Sequence, residues 1–187
     1  MNDFIKYCNT LSLLNEEAAS DILNCLNTKT ISKGKYLLKS GEICRHLFFI
    51  EDGLTKTFFN NEEKEFIMRF FPEHSMFTVL DSFLTQAPSA YAVLALEKTT
   101  ITQITQNDLE KLCKRHHCIE TFFRKLVSYA SLNMMKRISE MLEENATARY
   151  NNFVNDNNRL LQRISLGDLA NYLGITQVSL SRIRAKK

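Results

Sequence analysis

The sequence predicts an α+β protein in which a β-rich middle lies between helical ends. Three observations support this fold class: apolar residues at helical spacing near the start, short strand-like runs between residues 30 and 104, and a return to helical periodicity at Gln106. Helices and strands that occupy separate stretches of a chain are typical of α+β proteins. A length of 187 residues with 44% hydrophobic content is sufficient for a substantial core.

The first predicted element is an amphipathic helix over residues 11–27. Its apolar residues recur every four positions from Leu14 to Leu26, and Asn15 is placed to cap it ahead of two glutamates. The middle then reads as the strands KYLL, HLFFI, LTKTFF, EFIMRFF, AYAVLAL and TTITQI, separated by turn residues at hairpin spacing. We expect this region to form an all-β sandwich or barrel.

Two further helices follow the β-rich region. The first, NDLEKLCKRHH, is expected to be capped by Asn107 or Asp108, and the second runs from about Cys118 to Leu142. The apolar residues of this long helix cover more than one stripe, whereas a surface helix of a monomer needs one. The second stripe fits either packing within the chain or pairing with the same helix of a second copy. The residues expected to face such a copy are Phe123, Leu126, Val127, Ala130, Met134, Ile138 and Met141.

Charge is unevenly distributed along the chain. Residues 145–187 carry seven basic and two acidic side chains, a net charge of +5, whereas residues 1–144 carry −2. A basic segment on a slightly acidic body favours a polyanionic partner, because phosphate neutralisation dominates non-specific affinity for nucleic acid. A basic solvated surface would give the same count, so charge alone leaves both interpretations open.

The C-terminal stretch SLGDLANYLGITQVSLSRIRAKK predicts two short helices that meet at Gly174. Ser165 can cap the first helix, Gly174 permits the left-handed conformation that ends it, and Thr176 can cap the second. This arrangement is typical of the helix-turn-helix motif, whose second helix lies in the DNA major groove. A basic helical hairpin without DNA recognition is the alternative interpretation.

The second helix of this motif would carry the contacts to DNA. Its inward positions are expected to be Leu180 and Ile183, together with Val178 or Ser179. Arginine can donate two hydrogen bonds to guanine, glutamine pairs with adenine, and hydroxyl and basic groups hold phosphates. The candidate contacts are Thr176, Gln177, Ser179, Ser181 and Arg182, with added phosphate affinity from Arg184, Lys186 and Lys187.

This order of elements resembles the Crp/Fnr family of bacterial transcription regulators over nearly the whole chain. The stretches that carry the resemblance are DLANYLGITQVSLSRIR, KSGE, FFIEDG and ALEKTTITQIT. It implies a sensor domain over residues 1–117, built as a double-stranded β-helix or jelly-roll-like β-roll similar to cyclic-nucleotide-binding domains. A dimerisation helix over 118–143 and a helix-turn-helix domain over 144–187 would follow. The implied partners are a second copy, a palindromic site on double-stranded DNA, and RNA polymerase.

Two departures from the family concern DNA binding. Val178 stands where the family usually has a glutamate, three residues before a Ser-Arg pair that Ser181 and Arg182 match. The family also usually has a β-hairpin wing after the recognition helix, and with the sequence ending at Lys187 we expect no full wing. Both departures support an alternative: a small-molecule-binding or protein-interaction module with degenerate DNA recognition.

A third departure concerns the ligand. In the stretch FTVLDSFLTQAPSAYAVLALE, Thr78-Val79 replace the Gly-Glu of cyclic-nucleotide sensors, and Ser89-Ala90-Tyr91 replace their Arg-Ser-Ala. A buried phosphate without its arginine partner loses about 3–5 kcal/mol. We therefore predict no cyclic AMP binding and assign no cofactor. An effector, if the protein has one, is expected to be less charged and to lie near Phe77, Val79, Ser89, Tyr91 and Met134.

The sequence predicts no metal site, catalytic site or membrane span. Its five scattered cysteines do not match the clustered cysteines of iron–sulfur sensors, and we expect reduced thiols, with redox sensing at Cys44 or Cys118 left open. In CKRHHC, residues 113–118, we expect inward cysteines and a polar turn at His116 and His117. Motifs typical of enzymes are absent. Neither a signal peptide nor an apolar run of about 18 residues is present, so a cytoplasmic protein is expected.

Overall fold

The computed structural model describes residues 2–61 and 64–185. Within these ranges the chain forms two antiparallel four-stranded sheets and a set of helices at both ends. The helices are α1 (Asp3–Leu11), α2 (Glu16–Cys25), α3 (Leu80–Thr85), α4 (Gln106–Arg115), α5 (His117–Glu143), α6 (Ala146–Asp156), α7 (Leu166–Leu173) and α8 (Gln177–Ala185). The strands are β1 (Asn27–Ile31), β2 (Tyr36–Leu38), β3 (His46–Asp52), β4 (Thr55–Asn61), β5 (Lys64–Phe71), β6 (Met76–Phe77), β7 (Ala92–Ala95) and β8 (Thr99–Thr105).

The two sheets form a β-roll, which we call the roll (β1–β8). One sheet has the strand order β1-β8-β3-β6 and the other β2-β7-β4-β5. Aromatic rings connect the sheets, because Phe77 of β6 stacks on Phe71 of β5 with 3.9 Å between ring centroids. The turn before β4 requires Gly53, whose φ is +102° and whose added Cβ would lie 2.6 Å from the Thr99 hydroxyl. The predicted α+β fold class, with an antiparallel roll and a long helix, is confirmed.

The N-terminal region differs from the prediction of one helix over 11–27. It forms two helices, α1 and α2, and β1 begins at Asn27, the last residue of the predicted helix. The amide oxygen of Asn15 accepts a hydrogen bond from the Ala18 N–H at 2.8 Å, so the predicted cap is correct and starts α2. The cap of α4 is Thr105, whose hydroxyl accepts from the Asp108 N–H, rather than Asn107 or Asp108.

The junction of α4 and α5 is also different from the expected polar turn. His116 is buried, and its Nε2 lies 2.8 Å from a carboxylate oxygen of Asp21 on α2. Glu17 lies beside these two residues. One potential metal-ligand atom from each of the three side chains lies within 4.8 Å of the other two. Arg115, however, forms ion pairs with both Glu17 and Asp21, and a second cation there would have to displace it. We interpret the group as a structural link between α2 and the α4–α5 junction.

The cysteines of CKRHHC fit the expectation of packed thiols. The main core is the hydrophobic cluster that joins the roll to α1, α2, α4 and α5, and Cys113 and Cys118 are partly buried against it. Burial raises the pKa of the Cys113 thiol to about 11, so that it stays protonated at neutral pH and is a poor nucleophile. All five cysteines are unpaired. Among the described residues, no helix is long and apolar enough to span a membrane.

Helices α6–α8, which we call the head, pack on the outer face of the β2-β7-β4-β5 sheet. Phe70 of β5 contacts the rings of Phe153 on α6 and Tyr172 on α7 at centroid distances of 6.3 and 5.4 Å. These side chains belong to one hydrophobic cluster that takes Leu54 and Phe58 from the roll as well. The head and the sheet beneath it therefore share a single core.

Two ion-pair networks surround this shared core. Lys56 of β4 is buried, and its Nζ lies 2.7 Å from oxygens of both Glu65 on β5 and Asp168 on α7. Burial alone would raise the pKa of Asp168, but hydrogen bonds from Lys56 and Ser165 hold it below its usual value.

Arg163 forms the second network from the segment before α7. Its guanidinium donates to both oxygens of Glu73, at 2.9 and 2.6 Å, and also pairs with Glu97. The hydrogen bonds from Arg163 lower the pKa of Glu73 to about 2. Charged groups thus attach the head to two separate parts of the roll.

Candidate nucleic-acid interface

Helices α7 and α8, which meet at Gly174, occupy the stretch predicted to form a helix-turn-helix. The Ser165 hydroxyl accepts from the Asp168 N–H at 3.0 Å, and the Thr176 hydroxyl accepts from the Ser179 N–H at 3.1 Å, so both predicted caps are confirmed. Gly174 ends α7 at a φ of +70°. A Cβ there would lie 2.8 Å from the Met141 methyl group of α5, so the turn is held closely against the long helix.

The exposed face of α8 carries most of the predicted DNA contacts. Leu180 is buried and Ile183 packs against the head core, as expected, whereas Val178 is 61% exposed and points away from the core. Ser179 is half-buried. The exposed candidates are Thr176, Gln177, Ser181, Arg182 and Arg184, and the candidates Lys186 and Lys187 lie outside the described residues.

An open cleft of about 620 Å³ lies between α8 and the start of α6. Ser179 and Arg182 line one side, and the first turn of α6, from Asn145 to Ala148, lines the other. The Asn145 side chain caps α6 by accepting from the Ala148 N–H, whereas the N–H groups of Ala146 and Thr147, at the start of the helix, have no intrahelical acceptor. This half of the site was not predicted from the sequence, although Asn145 ahead of Ala146 and Thr147 is an N-cap signal.

The basic residues of the head have two different roles. Arg163 is engaged with acidic groups of the roll, and Arg149 donates to the Leu173 carbonyl at 3.1 Å. Within residues 2–61 and 64–185, Arg182 and Arg184 have no ion-pair or hydrogen-bond partner. The sequence count of +5 therefore overstates the free positive charge, which among the described residues of the head lies at Arg182 and Arg184 on α8 and at the exposed Arg159.

Comparisons with known proteins identify the fold of this chain. The cyclic nucleotide-binding domain family matches residues 28–116, which cover most of the roll and α4. FixK2 from Bradyrhizobium japonicum superposes with a TM-score of 0.77 at 14% identity, covering 86% of this chain and 83% of that one. A Crp/Fnr-family protein from Eubacterium rectale gives a TM-score of 0.73 at 16% identity, covering 91% and 82%. The chain has the Crp/Fnr fold.

A curated relative supports the same resemblance by sequence. Electron transport regulator A of Shewanella oneidensis is 26% identical over 166 residues, which are 83% of this chain and 66% of the relative. This chain thus spans about two thirds of that protein's length. The predicted resemblance to the Crp/Fnr family is confirmed, and the shared fold covers 86% and 91% of this chain in the two structural matches.

In this Crp/Fnr fold, α5 has a packed half and an exposed half. Leu126, predicted at a dimer interface, is buried in the chain's own core, and Phe123 packs on Phe83 at 5.9 Å between ring centroids. The chain's own core therefore already covers Leu126 and part of Phe123. In the second half, Met134 and Ile138 are 49% and 57% exposed. Four further apolar residues of α5 are exposed, namely Tyr129, Leu132, Met135 and Leu142.

The five residues predicted near an effector do not share one environment. Phe77 and Val79 are buried in the main core and Tyr91 packs against it, whereas Met134 is exposed on α5. The Ser89 hydroxyl is buried and occupied, since it donates to the Tyr91 carbonyl and accepts from the Tyr91 N–H. Neither the cleft at α8 nor a smaller one between α5 and α6 is lined by any of the five.

We expect no binding of cyclic AMP, because the buried Val79 and Ser89 supply no charge to a cyclic phosphate. Calorimetry and thermal unfolding at about 1 mM cyclic AMP would test this, since a dissociation constant of about 10 µM would add about 2.7 kcal/mol of stability. The Ser89→Arg variant, which introduces a positive charge at this position, is the control for the charge that a cyclic phosphate would require. Micromolar binding to the unaltered protein would contradict the prediction.

Proposed function

We propose that the protein is a cytoplasmic, homodimeric transcription regulator that binds a palindromic operator through α8 of each copy. The observation that carries this proposal is the cleft in which Arg182 and Ser179 face the first turn of α6. The helix N–H groups of Ala146 and Thr147, unpaired within the described residues, suit a DNA phosphate on one side of the cleft, and the free guanidinium of Arg182 on the other side can reach a guanine edge. The rest of α8 is then directed at base edges in the major groove.

A second copy supplies the symmetry that a palindrome requires. The half-buried Val127 and Ala130 and the exposed Met134 and Ile138 follow one face of α5, and pairing of that face would remove their accessible surface from water. Two heads related in this way would enter successive major grooves about 34 Å apart. Met141 contributes to this face while also contacting the turn at Gly174. RNA polymerase and a small-molecule effector are further proposed partners.

Replacement of Arg182 by alanine tests the DNA-binding assignment. We expect affinity for the operator to fall about 5- to 100-fold per half-site, because one two-bond guanine contact is lost. Fluorescence anisotropy with DNA selected from a random pool, compared with scrambled DNA, would measure the change. The control is Arg159→Ala, an exposed head arginine away from α8, which should leave affinity within about twofold. Unchanged affinity and selectivity of Arg182→Ala would remove this residue from the interface.

The competing function is a small-molecule-binding module without effective DNA recognition. One observation favours it: the hydroxyls of Thr55 and Thr57 and the amide oxygen of Gln103 are buried with no hydrogen-bond partner among the described residues. Such atoms would gain from a polar ligand inside the roll. Salt dependence separates the two functions, since a DNA-binding protein that contacts several phosphates weakens steeply as salt rises.

A further inference from the structure

Val178 has an unusual setting for an apolar residue. It is the second residue of α8 and is 61% exposed, while the buried side of the same helix is already formed by Leu180. Among the described residues of α8 there is no acidic side chain. An isolated exposed valine on a surface is ordinary, but this one lies in the turn that enters the major groove under the proposed function.

Val178 is the exposed apolar side chain of that turn. The amide nitrogen of Gln177 lies 3.0 Å from the point that a Cβ on Gly167 would occupy, so this side chain rests against the start of α7. Ser181 and Arg182 follow three and four residues after Val178 and share its face of the helix. The groove-facing surface thus combines an apolar group with a hydroxyl and a guanidinium.

Of the groups that the major groove presents, the thymine 5-methyl is the apolar one. We propose that Val178 contacts the methyl group of a thymine in each operator half-site. Four residues of helix rise about 6 Å, so this thymine lies one to two base pairs from the pair contacted by Arg182. The proposal rests on the proposed function and specifies part of the DNA sequence that the protein recognises.

Substitution of deoxyuridine for thymine tests the contact, because it removes the methyl group alone. The full-length protein would first be used to select DNA from a random pool, and each thymine of the selected operator would then be replaced in turn. We expect one position per half-site to weaken binding about fourfold in fluorescence anisotropy, the effect of one buried methyl group. In Val178→Ala the same replacement should have no effect.

Two further variants test whether the effect is specific to Val178. Leu84→Ala removes an apolar side chain that is 52% exposed on α3, and it should retain the full deoxyuridine effect. Val178→Glu should change the preference at that position from thymine to cytosine, because a carboxylate accepts from the cytosine amino group.

The outcomes separate this inference from the proposed function. Selective binding with no deoxyuridine-sensitive position, or a sensitivity that persists in Val178→Ala, would overturn the thymine contact and leave DNA recognition intact. Failure to select any DNA over a random pool would overturn both. A deoxyuridine effect that disappears in Val178→Ala and persists in Leu84→Ala would establish the contact.

Discussion

Replacing Ile138 by glutamate is expected to give a monomer that binds its operator at least about 100-fold more weakly. Ile138 lies in the exposed apolar face of α5, and a carboxylate in a paired face would be buried without a partner. Loss of the dimer also removes the second half-site contact, which contributes about 10²- to 10⁴-fold through effective concentration. Light scattering would report the mass, and anisotropy the affinity.

The control for this variant is Asn133→Glu, which adds the same charge to an exposed position about 100° around the helix from Met134. It should remain dimeric and retain DNA affinity. If Ile138→Glu also stayed dimeric, pairing through this face of α5 would be excluded. If it became monomeric but bound DNA normally, the palindromic mode of recognition would be wrong.

Replacing Lys56 by methionine is expected to reduce the free energy of unfolding by about 3 kcal/mol. The change keeps the length of the side chain but leaves Glu65 and Asp168 near each other without their shared cation. Because the pKa of Asp168 is below its usual value in the folded protein, its contribution to stability is present at neutral pH and is lost as pH falls through the folded-state pKa. Urea unfolding at neutral pH would measure the change.

Two variants help to interpret that loss of stability. Lys114→Met removes an ion pair with Glu110 in which both side chains are more than half exposed, and it should change stability by less than about 1 kcal/mol. The triple variant K56M/E65Q/D168N should recover much of the loss, since it removes the unpaired charges. Equal effects of Lys56→Met and Lys114→Met would mean that the buried network does not stabilise the protein.

The parts of the fold that depend on local sequence could be predicted, and the pair of helices α7 and α8 is the clearest case. Ser165, Gly174 and Thr176 cap or end helices within three or four residues of themselves, so residue type and spacing are sufficient to predict these contacts. Helix α3 was missed because it has six residues and no side-chain cap. Strand β1 was missed because its exposed residues have no alternating apolar pattern.

Contacts between distant parts of the chain could not be predicted. Lys56 and Asp168 are 112 residues apart, and nothing in either local sequence indicates that they pair. Arg163 counts as free positive charge in the sequence, although Glu73 and Glu97 neutralise it. The first turn of α6 likewise becomes part of the candidate site through its position opposite Arg182, which no single motif encodes.

The core shared by the head and the roll has a consequence for how the chain can be divided. Leu169, Leu173 and Leu180 pack in the same cluster as Phe58 and Phe70 of the sheet. A cut at residue 143 would therefore expose an apolar surface on both fragments, and the head is not a module that can be grafted unchanged onto another sensor. A displacement of the sheet would therefore be transmitted to α7 and α8 through packed side chains and not through a flexible linker.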